Sequence, residues 1–137
     1  MQPPGRHWLR AAALAALAYP IIGVVFGALA GLATSPSSLT AWRLAAWALS
    51  AMTFAVHLGY EHTRLSSTPA REAGHVSAAV ALGGFLLAVW INLYHGLSAT
   101  PQSRFAPLAL VAFPLITGVP AFLVGFFLLA LLTRRAR

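Results

Sequence analysis

The chain contains no cysteine, no lysine and no aspartate, and its 137 residues include only two acids, Glu61 and Glu72. Without cysteine there can be no disulfide, thiolate metal site, iron–sulfur ligand or cysteine nucleophile. Charged residues make up 8% of the chain, where a soluble domain carries roughly a quarter, and hydrophobic residues make up 59%. That balance does not fit a soluble globular domain. All nine basic residues are arginine, and the net charge is +7. A nucleic-acid partner would need a solvated basic face. These arginines stand instead at the ends of apolar runs, where they read as topology signals. Nucleic acid is therefore rejected as a partner, and membrane lipids, with anionic headgroups as counter-charges, are expected.

What is present is four long apolar runs. The first extends from Trp8 to about Thr34 and has no charge between Ala11 and Ala33. It is long enough for a bilayer core of about 30 Å and too long for a signal-peptide apolar region of about 15 residues. Pro20 predicts a kink in it. Ser35-Pro36-Ser37-Ser38, Ser66-Ser67-Thr68-Pro69 and Thr100-Pro101 read as breaks. They divide the chain into helices at about 8–34, 42–64, 72–97 and 105–133. The fold class is therefore all-α, an integral membrane four-helix bundle in a single domain. The last run holds Pro107, Pro114 and Pro120 and is longer than a straight span needs. A helix kinked at its prolines, or one broken into a half-helix and a full span, fits it.

Four spans place Arg6, Arg10, Arg64, Arg71, Arg134, Arg135 and Arg137 on one side, and Arg43 and Arg104 on the other. The positive-inside rule puts the richer side, with both termini, in the cytoplasm. The arginine- and alanine-rich usage suggests a bacterial inner membrane.

Four features can carry chemistry. Gly23, Gly27 and Gly31 form a four-residue ladder in helix one, a device for close helix packing within the chain or between chains. Arg43, Ser50, His57 and Arg64 recur every seven residues on helix two, with Thr53, Tyr60 and Glu61 on the same face, giving a polar stripe. Its uses are interhelical hydrogen bonding or a wet path. Both acids lie beside three of the five histidines at one hairpin end: His57, Glu61, His62, Glu72 and His75. By helical rise, His57 lies about 6 Å deeper than Glu61 and His75 about 4.5 Å deeper than Glu72, so the two histidines come to similar depth. The pair His57 and His75 suits a haem b iron or a divalent metal, the whole group a proton relay, and the plainest use is ion pairing of the acids with Arg64, Arg71 and the C-terminal arginines. Asn92, Tyr94 and His95, with Trp90 inside them, read as an interfacial belt at the opposite end.

The span count is similar to that of small multidrug transporters and fluoride channels. The resemblance ends there, because those transporters carry a glutamate inside helix one and this helix one has no acid. No catalytic constellation, phosphate loop or soluble domain is visible. The leading expectation is a non-catalytic accessory or assembly subunit of a larger membrane complex, or a self-associating bundle. The alternatives are a small transporter or proton-linked channel using the helix-two stripe, and a haem- or metal-binding electron-transfer subunit using His57 and His75.

Overall fold

The computed structural model describes residues 7–65, 67–98 and 106–135, which form four helices: α1 (His7–Gly31), α2 (Pro36–Leu65), α3 (Pro69–Ser98) and α4 (Ala106–Arg135). No strand occurs among the described residues. Each helix is long and apolar enough to cross a bilayer, so the chain has the build of a multi-pass membrane protein. Arg6, Arg104, Arg137 and the Thr100-Pro101 break lie outside the described residues.

Two helices begin earlier than the breaks in the sequence suggest. α2 starts at Pro36 rather than about 42, because Ser35-Pro36 is a helix start and not a free turn. The Ser35 Oγ accepts from the Ser38 backbone N–H at 3.2 Å, and the Ser38 Oγ accepts from the Ser35 N–H at 3.3 Å. That is a reciprocal cap of the capping-box type, with proline at the first helical position where its missing N–H is harmless. α3 also begins on a hydroxyl residue followed by proline, Thr68-Pro69, and the Thr68 backbone carbonyl accepts from the N–H groups of Arg71 and Glu72. α1 ends at Gly31, short of 34, in a tightened turn where the Ala33 N–H reaches back to the Ala30 carbonyl. α4 is one helical element with Pro114 and Pro120 inside it, so the half-helix alternative is not adopted. Each proline removes one backbone donor, and the flanking turns keep their own hydrogen bonds.

α3 packs against all three other helices and most extensively against α4. Glycines set that closeness. A side chain starting at Gly84 would lie 2.7 Å from the Thr117 Oγ1 and 3.1 Å from the Phe113 carbonyl oxygen, and one at Gly118 would lie 2.8 Å from the Ala81 Cβ. Gly83 leaves similar room for Tyr19 of α1. Leu58, Ala73, Val76 and Leu129 form one buried cluster, with Phe54, Phe122 and Phe126 against it. A smaller one of Ala15, Ala16 and Ala79 joins α1 to α3. Such small-residue contacts let the helices approach closely and gain dispersion energy.

The outer faces are apolar: Leu32 and Trp47 are 77% and 78% exposed. Hydroxyls are handled locally. Those of Thr53, Thr63, Thr117 and Thr133 donate to carbonyls one turn back in their own helices, which satisfies them without water. Arg10 shares a groove with Tyr60, and Arg134 shares one with Thr68, so the start of α1, the α2–α3 hairpin and the end of α4 lie at one end of the bundle. Arg10, Arg64, Arg71 and Arg134 gather there, and Arg43 stands in a groove with Gly27 and Gly31 toward the other end.

Candidate functional site

The α2–α3 hairpin turns within three residues, so the last turns of α2 face the first turns of α3 in antiparallel register. Each helix brings one acid to this seam, and both acids are buried: Glu61 is 0% exposed and Glu72 is 1%. They are held in crossed pairs. His75 Nδ1 of α3 donates to Glu61 Oε2 of α2 at 3.0 Å, and His62 Nδ1 of α2 donates to Glu72 Oε2 of α3 at 3.0 Å. Glu72 Oε1 also accepts the Ser67 backbone N–H at 2.8 Å, which ties the hairpin loop to the first turn of α3. These contacts clasp the hairpin at its loop end.

His57 lies one turn deeper on α2 and is 4% exposed. Its Nε2 is 3.5 Å from Glu61 Oε1, beyond ordinary hydrogen-bond length. Neither ring nitrogen of His57 has a hydrogen-bond partner, nor does Glu61 Oε1. The Glu61 carboxylate therefore lies between two imidazoles, bonded to His75 and merely adjacent to His57. The side chains of His62 and His75 are partly exposed, which gives the cluster a route to the surface.

This geometry bears on the cofactor expectations. His57 and His75 both turn toward one carboxylate, whereas a bis-histidine haem needs two imidazoles aimed at each other across an open slot. Among the described residues no three His, Cys, Asp or Glu side chains are arranged to hold a metal ion. The residues present do not fit either group. The expected pairing of the acids with arginines is not what forms: among the described residues every ion pair of Glu61 or Glu72 is with a histidine. The carboxylates face inward across the seam, while Arg64, Arg71 and Arg134 are exposed.

The helix-two stripe is distributed over three cavities. Arg43 lines a groove between α1 and α2 with Gly23, Gly27 and Gly31. Ser50 lines a central apolar cavity of about 590 Å³ with residues from all four helices. Thr53, His57 and Tyr60 line a third space of about 640 Å³ beside Arg10, and Arg64 is exposed at the end of the helix. The glycine ladder divides too. Gly23 meets Leu87 of α3, with a built Cβ only 2.9 Å from its Cδ2, whereas Gly27 and Gly31 have nothing within 4 Å. Tyr94 is exposed at the opposite end, the Asn92 amide donates to the Ala88 carbonyl at 2.8 Å, and the His95 side chain lies outside the described residues.

Two features have a sequence signal that the ladder and the stripe do not capture. The Gly83-Gly84 pair and Thr117-Gly118, each in mid-run, mark the close α1–α3 and α3–α4 crossings. Tyr19, inside an apolar run, carries a buried hydroxyl without a protein partner beside the central cavity. No family model matches the chain, and neither the curated proteins nor the solved structures searched give a match.

Proposed function

We propose that the protein is a non-catalytic multi-pass bundle of the bacterial inner membrane that works by packing against another membrane-spanning element, either a second copy of itself or a subunit of a larger complex. Both termini lie in the cytoplasm on this reading, and α4 bends between Pro114 and Pro120, where the Ile116 carbonyl loses its proline partner. The observation that supports the reading is the state of the glycines. Gly23, Gly83, Gly84 and Gly118 are filled by neighbours within the chain, while Gly27 and Gly31 face open space in a groove of about 430 Å³. In lipid, small residues gain energy only when another helix closes on them.

Because the chain has no cysteine, single-cysteine variants report contacts cleanly. Gly27→Cys and Gly31→Cys are expected to form cross-linked adducts in native membranes, with a like chain or a different one. Leu115→Cys, on the outer face of α4, is expected to form none. Equal labelling at all three positions, or none at any, would remove the basis of the proposal.

A second reading, a proton-linked channel or transporter, is favoured by one observation: the fully buried Glu61 with an unbonded oxygen beside the unbonded His57. Ionisable groups at such depth commonly mark proton paths. The crossed pairs and the division of the stripe weigh instead for a clasp that fixes the α2–α3 hairpin. Proton flux into vesicles distinguishes the two.

A further inference from the structure

Arg10 poses a question that the clasp does not answer. Both side-chain carboxylates, Glu61 and Glu72, are held by histidines, so Arg10 has no anionic partner among the described residues. It stands at the mouth of the groove of about 640 Å³ between α1 and α2. The groove is polar at that end, with Arg10, Tyr60 and the wall of His57, and apolar further in, where Leu14, Met52 and Val56 line it. Eight residues separate Arg10 from Ala18 along α1 and Tyr60 from Met52 along α2, so the groove runs about 12 Å along the helix axes. An open slot with one cationic end and an apolar shaft along the membrane normal has the shape and charge of an anionic amphiphile.

We infer that this groove seats one anionic phospholipid of the arginine-rich leaflet. Its phosphate is held by Arg10 and the Tyr60 hydroxyl, and one acyl chain lies along Leu14, Met52 and Val56. The site shares no residue with the Gly27–Gly31 groove and does not depend on self-association. Three points support a lipid. Among the described residues the arginine has no anionic partner, the groove is open rather than enclosed, and its shaft is apolar up to the buried His57 in its wall. The lipid covers the apolar side of that buried imidazole and keeps water from the His57–Glu61 edge of the clasp.

The full-length protein is reconstituted in nanodiscs of equal parts phosphatidylglycerol and phosphatidylcholine, and retained lipid is counted by native mass spectrometry after release. One phosphatidylglycerol per chain is expected, preferred about tenfold over phosphatidylcholine, whose choline cation competes with Arg10 for the phosphate charge. Arg10→Gln should reduce that preference to less than about twofold, and Arg64→Gln, an exposed arginine outside the groove, should leave it unchanged. Ala18→Phe fills the shaft and should release both lipids with Arg10 still in place; circular dichroism confirms that each variant is folded. Equal retention of the two lipids by the unmodified chain would overturn the inference. So would equal losses from Arg10→Gln and Arg64→Gln, which would mean diffuse charge attraction. Displacement of the lipid by inorganic phosphate would also overturn it, because the acyl seat would then contribute nothing.

Discussion

Replacing Glu61 by alanine removes the acceptor for His75 Nδ1 and the nearest polar neighbour of His57, at a position that is 0% exposed. In a soluble core, breaking a buried pair of this kind costs about 3–5 kcal/mol. In a bilayer the unfolded helices also find partners, and measured couplings average about 0.6 kcal/mol with a maximum of about 1.7. His57 makes no hydrogen bond to lose, so the loss comes mainly from the His75 contact and the space left behind. We therefore expect Glu61→Ala to lower stability by about 2 kcal/mol, between those two limits, with about 1 kcal/mol of it as coupling to His75. Glu72→Ala is the internal comparison. Glu72 is equally buried, but its partners, the His62 ring at 37% side-chain exposure and the half-buried Ser67 N–H, can turn to water. Its loss should stay below about 1 kcal/mol, the range of exposed pairs. Equilibrium unfolding in mixed dodecylmaltoside–SDS micelles, followed by circular dichroism, measures both variants. The double-mutant cycle of Glu61→Ala with His75→Ala isolates the coupling. A coupling of zero, or Glu72→Ala costing as much as Glu61→Ala, would refute the clasp.

Two further outcomes follow from the packing and the charge distribution. Gly84→Ala should destabilise the bundle by about 1–3 kcal/mol in the same unfolding assay, because the new methyl meets the Thr117 hydroxyl and a backbone oxygen on α4. Gly27→Ala should leave the isolated bundle unchanged or raise its stability by up to about 1 kcal/mol through helix propensity, since its Cβ enters open space. Reporter fusions at residue 137 and in the 62–73 loop should both read as cytoplasmic, and one near Ser37 should not. An external 62–73 loop would show that the arginine bias does not set this topology.

The four helices are legible in the sequence because each apolar run is long enough to span a bilayer core and is bounded by arginine, serine or proline. Their starts are less so. Ser35-Pro36 and Thr68-Pro69 look like breaks in a linear reading, yet a hydroxyl residue followed by proline is also the chemistry of a helix start, and here it is used that way. The spacing of His57 with Glu61 and of Glu72 with His75 places each pair on one helix face. It does not say that the partners cross the seam, because crossing depends on the register across a loop of three residues. The sequence therefore suggests two facing histidines, whereas the structure puts the Glu61 carboxylate between them. The glycines illustrate the same limit. A four-residue ladder is visible within one helix, but the close approaches pair Gly83 with Tyr19, Gly84 with Thr117 and Gly118 with Ala81, on helices whose contacts only the fold reveals.

Whether the buried His–Glu cluster is a clasp or a conduit is decided by proton flux into vesicles that carry the purified protein and an internal pH-sensitive dye, under a potassium diffusion potential. A clasp predicts acidification no faster than in protein-free vesicles, at any protein density, for the unmodified chain and Glu61→Gln alike. Acidification that rises with protein density and vanishes in a folded Glu61→Gln variant would contradict it, and would make Glu61 the proton carrier of a channel or transporter.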